Sequence, residues 1–201
     1  MRWLKTFPQR APVDYDQFRP NIQSGDLLFC SGSGYFSQMI QRATKSAWSH
    51  VAFVMRLDDV DRVMVLESVE PQGVRTVPLS KYLRNYDNKN NPYPGGVLIA
   101  RHADFKDKVT PQRLHRFGQF AVDLFGYPYD RDEIAKIAYR IMTGKRRARR
   151  TDPEYICSEY VWECYRSIGI RIVSDRRGFV APVDFAKDAK VSLQAVLQAK
   201  P

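Results

Sequence analysis

Three cysteines (Cys30, Cys157, Cys164) and three histidines (His50, His102, His115) are the residues of this chain best suited to nucleophilic and proton-transfer chemistry. A thiol attacks a carbonyl only as thiolate, so a nucleophilic cysteine needs a setting that favours the anion and a base within reach. Cys157 has such a setting. The irregular stretch Thr151-Asp152-Pro153-Glu154-Tyr155 runs into an amphipathic helical pattern and places Cys157 in or near a first helical turn. Unsatisfied N–H groups and the helix dipole favour a thiolate there, and the same N–H groups can hold an oxyanion. If Asp152 caps and Pro153 is the first helical residue, Cys157 falls in the second turn and the advantage shrinks. Cys30 and Cys164 read as buried structural thiols.

His50 is the expected base. It opens the alternating run Val51 to Leu57, and the flanking Trp48-Ser49 gives no metal-ligand spacing. Read as a two-residue turn, Asp58-Asp59 pairs positions whose numbers add to 117, which sets His50 opposite Glu67. Cross-strand neighbours lie about 4.5–5.5 Å apart at Cβ, so Glu67 can orient the imidazole and balance its charge, as the third member of a triad does. A one-residue slip would turn Glu67 to the other face. Glu70 and Asp26 are lesser candidates for the third role, and His102 and His115 compete with His50 as base. His115, between Arg113 and Arg116, reads as solvated helix surface.

These residues must be held by a scaffold. Asp26–Cys30, Val51–Leu57, Val63–Ser68, Val74–Val77 and Val97–Arg101 read as strands, which predicts a curved antiparallel sheet or small barrel. A short helix is expected from Phe36 to Ser46, leading into Trp48-Ser49-His50. After Thr110 the pattern turns helical: Thr110-Pro111 starts a helix that Gly126 closes, a second spans about residues 132 to 142, and a third carries Ile156, Tyr160, Val161, Cys164 and Ile168 before Gly169. The expectation is one α+β domain over residues 1–201: an N-terminal extension (1–20), a β-rich half (21–105) with His50 and Glu67, and a helical half (106–201) with Cys157.

Composition narrows the partners. Three cysteines are too few and too odd for a disulfide framework, which leaves free thiols for chemistry. No run approaches the roughly 18 apolar residues of a membrane span, and MRWLKTFPQRAPVDYDQF breaks before an export signal forms, so a soluble, cytoplasmic protein without cofactor or metal is expected. The net charge of +10 favours anionic partners such as a membrane or an acidic polymer. The densest basic run, Lys145 to Arg150, reads as a phosphate or membrane contact or as a solvated linker. No aromatic-interleaved basic stripe accompanies it, so nucleic acid is not expected.

Six segments together resemble the NlpC-type papain-like superfamily, and within it the circularly permuted YaeF/YiiX/YebB-type amidases. They are Gly25-Asp26-Leu27-Leu28-Phe29, Trp48-Ser49-His50-Val51-Ala52, Leu66-Glu67-Ser68, Gly73-Val74-Arg75, Gly126-Tyr127-Pro128-Tyr129-Asp130 and Cys157-Ser158-Glu159-Tyr160, with the cysteine block after the histidine block. The resemblance implies a permuted papain-like fold with Cys157 as nucleophile, His50 as base, Glu67 as orienting residue, and Tyr129 beside the cysteine, shaping the substrate site. Ser158-Glu159 stands where ordinary NlpC enzymes have Ser-Gly, which argues against their cell-wall peptide specificity.

The implied activity is that of a cysteine amidase or peptidase acting through a thioester acyl-enzyme on a peptide, amide or cell-wall fragment. Related permuted enzymes act on lipids, so a thiol acyltransferase or phospholipase is the alternative, with Trp3, Phe36 and Trp48 able to meet a membrane. Trp48 is also expected at the substrate site.

Overall fold

The computed structural model describes residues 7–130, 155–172 and 180–198. Its centre is a seven-stranded sheet: β1 (Val13–Asp14), β2 (Leu27–Gly32), β3 (His50–Leu57), β4 (Arg62–Val69), β5 (Gly73–Pro78), β6 (Gly95–His102) and β7 (Val191–Gln198). The spatial order is β1-β7-β6-β2-β3-β4-β5, antiparallel throughout except for the parallel β1–β7 pair. The sheet is open, with β1 and β5 as edges, so the barrel alternative does not hold.

Alternation along the strands builds two apolar layers. Leu27, Phe29, Val51, Phe53, Leu66 and Val74 face one side, which α5 (Pro111–Asp123) and α6 (Cys157–Ser167) cover. Leu28, Cys30, Ala52, Val54, Val63 and Val65 face the other, under α1 (Tyr15–Phe18) and α3 (Leu79–Arg84). Helix α2 (Tyr35–Thr44) joins β2 to β3, α4 (Ala103–Lys108) follows β6, and α7 (Pro182–Lys187) precedes β7.

The helix signals work as their chemistry requires. Thr110 Oγ1 accepts from the Arg113 N–H at 3.3 Å and Pro111 takes the first turn of α5. Gly126 and Gly169, in left-handed conformations of φ 84° and 83°, follow α5 and α6. In α6, Tyr160, Val161, Cys164 and Tyr165 share the buried face, Ile168 continues it at the C-cap, and Cys157 opens the same row. Phe117 is the hinge of this layer, its ring 4.7 Å from Phe53 on the sheet, 5.2 Å from Phe105 and 5.7 Å from Tyr165.

Two expectations need correction. The chain after residue 106 is not purely helical, because Val191–Gln198 enters the sheet between β6 and β1 with an alternating buried pattern. Residues before 20 are also more than an extension: β1 pairs with β7, and Tyr15 is buried. The expected helix near residues 132–142 and the Lys145–Arg150 run lie outside the described residues, as does Trp3. Among the described residues no helix is long and apolar enough to cross a membrane.

Emptying the Phe117 site leaves a cavity between sheet and helices. Phe117→Ala is expected to lose about 3–5 kcal/mol, read as a lower urea midpoint at unchanged slope.

Candidate active site

The β3–β4 connection is longer than expected, and the reason is local. Asp58–Val60 forms a 3₁₀ turn and Asp61 takes a left-handed φ of 45°, so Leu57 pairs with Arg62 and paired numbers add to 119. The shift from 117 is two residues, one full side-chain period, so Glu67 stays on the His50 face. It sits diagonal to His50 instead of opposite it, and His50 Nε2 lies 3.0 Å from Glu67 Oε2.

Small polar side chains lock the neighbouring backbone. Ser49 Oγ accepts from the Gly32 N–H at 3.0 Å and donates to the Cys30 carbonyl, pinning the residue before His50 to β2. Ser68, next to Glu67, donates to the Tyr155 carbonyl at 2.6 Å, two residues before Cys157. The Gly126–Asp130 turn docks on β5 through Val74 N–H to Tyr127 O (2.9 Å) and Gly126 N–H to Val74 O (3.0 Å). At Gly73, with φ of 74°, a Cβ would stand 2.0 Å from the Tyr127 carbonyl, so only glycine permits this approach.

Cys157 is the first residue of α6. Ile156, in extended conformation, precedes it and offers no capping side chain, so the first-turn N–H groups are left without intrahelical acceptors beside the thiol. The Cys157 side chain lies close enough to His50 to help raise the pKa of the imidazole. With Nε2 directed at Glu67, Nδ1 is the ring nitrogen not taken by the carboxylate. Ser158 Oγ donates to the Val180 carbonyl at 2.8 Å and fixes the chain entering α7 beside the site.

Glu67 is fully buried and receives three donors: His50 on Oε2, the Tyr82 hydroxyl also on Oε2, and Arg75 Nε on Oε1 at 3.0 Å. Burial alone would raise its pKa; the hydrogen bond and charge of His50, then the Arg75 charge and the Tyr82 hydroxyl, bring it below the ordinary value. Burial likewise opposes a charged imidazole, yet hydrogen bonding to Cys157 and Glu67, together with their charges, outweighs it and pushes His50 up to about 10.

A groove opens on Cys157, lined by Met39, Ile40, Ala43 and Thr44 of α2, by Tyr129 and Ile156, and by Val180, Ala181 and Pro182. Burial pushes the Tyr129 hydroxyl up, and the charges of Cys157 and Glu70 act the same way. Trp48, expected in this groove, packs instead against Phe7 and Phe29, with ring centroids 5.8 Å from both.

The competing candidates sit elsewhere. His102 is buried at the start of α4, its Nδ1 accepting from the Asp104 N–H at 3.1 Å. His115 is exposed on α5. Asp26 is held by Arg101 at 2.6 and 2.7 Å and caps a turn at the Gln23 N–H. Cys30 and Cys164 are buried, and burial pushes both thiols up. Tyr82 and the Glu67 role of Arg75 escaped the sequence reading. The Val69 to Gly73 turn holds the missing signal for Arg75, since it sets Glu67 opposite Arg75 across β4 and β5.

The family model described as "Permuted papain-like amidase enzyme, YaeF/YiiX, C92 family" matches residues 21–196. The chain belongs to that family. Among solved structures, the crystal structure of "metalloprotein yiiX" from Escherichia coli O157:H7 is similar, with 19% identity and a TM-score of 0.61 over 88% of this chain and 98% of that one. The likeness extends to the permuted papain-like fold. Among the described residues of this C92 family chain, no group of three or more His, Cys, Asp or Glu side chains is arranged to hold a metal ion. No curated protein matches the chain.

The raised His50 value makes a stability statement. A folded value above the ordinary 6.5 means the pair's contribution is complete below 6.5 and is lost as pH climbs through about 10. Glu67→Gln removes one cause of the shift, so the urea-midpoint advantage of the wild type over Glu67→Gln is expected to shrink between these two pH values.

Proposed function

We propose that the protein is a cysteine amidase that works through a thioester acyl-enzyme. One observation carries the reading: Cys157, which lines an apolar groove, acts on the imidazole of His50, whose Nε2 is anchored on a buried carboxylate. His50 takes the Cys157 proton, the sulfur attacks the amide carbonyl, and first-turn N–H groups of α6 receive the oxyanion. His50 then gives the proton to the departing amine. Water, activated by the same imidazole, cleaves the thioester and restores the thiol.

The groove speaks for the acyl side of the substrate. Met39, Ile40, Ala43, Ile156, Val180 and Pro182 offer a nearly apolar wall, suited to an apolar group next to the scissile carbonyl. A lipid-directed acyl transfer or ester cleavage is the second reading, and α2 favours it. Its positions 35, 36, 39, 40, 43 and 44 form one lane at i, i+1, i+4, i+5, i+8 and i+9. That lane runs from Tyr35, 78% exposed, and Phe36, 38% exposed, to the wall beside Cys157. No residue of α2 is buried. Under this reading the anionic membrane is the partner that the basic chain meets.

Two measurements test these readings. Labelling the native protein with a chloroacetamide probe, followed by mass spectrometry, is expected to mark Cys157 at least about tenfold faster than Cys30 or Cys164. His50→Ala should abolish the preference, and equal labelling of the three thiols in the wild type would refute the nucleophile assignment. A series of acyl amides and p-nitrophenyl esters of rising chain length, run with flotation on anionic liposomes at low salt, separates the two substrates. A rate that climbs with chain length together with flotation supports the lipid; a short-acyl optimum without flotation supports the amidase.

A further inference from the structure

Glu67 presents a charge problem that His50 cannot solve alone. The carboxylate is fully buried, and burying an ion without a compensating charge costs several kcal/mol. In the proposed cycle His50 carries a proton at some steps and has given it up at others. A carboxylate balanced only by His50 would therefore lose its counter-charge whenever the imidazole became neutral.

Arg75 removes this difficulty by position. Glu67 and Arg75 are direct partners across β4 and β5, so the register itself sets them face to face. Arg75 Nε donates to Oε1, while His50 and Tyr82 share Oε2. The division leaves Arg75 in place whatever the imidazole carries. The three donors also favour an ionised Glu67, because a carboxylate accepts all three bonds while a carboxylic acid hydrogen would displace one of them.

The charged and titratable groups found to act on or feel Glu67 among the described residues fit this account. His50 approaches from β3, Arg75 from β5 and Tyr82 from α3. Tyr86 and Cys30, both of which feel the Glu67 charge, approach from the 3₁₀ turn after α3 and from β2, and burial keeps both in their neutral forms. Asp87 lies 4.0 Å from Arg75, at the solvent side, where water screens it. Rings of Tyr82, Tyr86 and Tyr93 pack together at 4.8 to 5.5 Å and hold the Tyr82 hydroxyl on its carboxylate.

We propose that Arg75 is the permanent counter-ion of Glu67, a positioning residue that keeps the buried site electrically neutral while His50 gives up and regains its proton. The count bears this out. Thiolate, imidazolium, Glu67 and Arg75 total zero; thiol or thioester, neutral imidazole, Glu67 and Arg75 also total zero. Without Arg75 both states carry one uncompensated negative charge, and the site binds protons more tightly.

This inference rests on the proposed roles of Cys157 and His50, and its test is made independent of any substrate. The rate of Cys157 alkylation by iodoacetamide is followed against pH in wild type, Arg75→Gln and Arg75→Lys, with circular dichroism as the check on folding. Loss of the positive charge should move the acid limb of Arg75→Gln to higher pH by about one unit, while Arg75→Lys keeps the wild-type limb at a lower rate. Superimposed limbs for folded Arg75→Gln would overturn the proposal. If that variant does not fold, Arg75→Met takes its place: a limb displaced upward by about one unit supports the proposal, and one superimposed on the wild type overturns it. Should the limbs behave as expected while no amide or ester is turned over, the counter-ion stands and the amidase reading falls.

Discussion

A fully buried carboxylate is the constraint around which this molecule is arranged. Glu67 lies in a central position of β4 with no solvent exposure, and such a group is tolerated only where donors and opposite charge surround it. The donors come from three elements: His50 from the start of β3, Arg75 from β5 and Tyr82 from α3. Each of these elements is therefore fixed in register by a polar contact as well as by apolar packing. The hydroxyl of Ser68, one residue further along β4, ties the same strand to the loop that delivers Cys157. Orientation of the imidazole and placement of the thiol thus depend on one short stretch of strand.

The groove shows the complementary side of this design. Where the Glu67 surroundings are tightly satisfied, the wall beside Cys157 is apolar and formed in part by a helix with no buried residue. Satisfied polar contacts sit beneath Cys157 and His50, and a helix without buried residues sits beside the groove through which the proposed substrate would enter. Such a split is common where binding surfaces are built on a rigid scaffold.

Much of the fold was legible because its signals are local. The five strands read before residue 106 each occur within about two residues of their expected limits, and the start of α5 follows from Thr110 and Pro111. What escaped depended on distant partners. β7 has a clear alternation, Val191, Leu193, Ala195 and Leu197 inward, yet its place between β6 and β1 is set by residues about ninety and nearly two hundred positions away. The β3–β4 connection is two residues longer than an Asp58-Asp59 turn, and because side chains repeat every two residues Glu67 keeps the His50 face. Trp48 was misplaced for a different reason, since an aromatic next to His50 has a core to fill, with Phe7 and Phe29 waiting there. The start of α6 at Cys157 resolves the alternative in which Pro153 would have begun it.

The sequence separations within the site also set an order of assembly. His50, Glu67, Arg75 and Tyr82 lie within 33 residues joined by two hairpins and a short helix, so the imidazole and its carboxylate cradle can form from local contacts. Cys157 follows 75 residues after Tyr82, and β7 completes the sheet later still. On a ribosome, which releases the N-terminal part first, the cradle can be built before the thiol emerges. The Cys157 sulfur would then meet an imidazole already in place, and an incomplete chain would carry the cradle without the residue proposed as nucleophile.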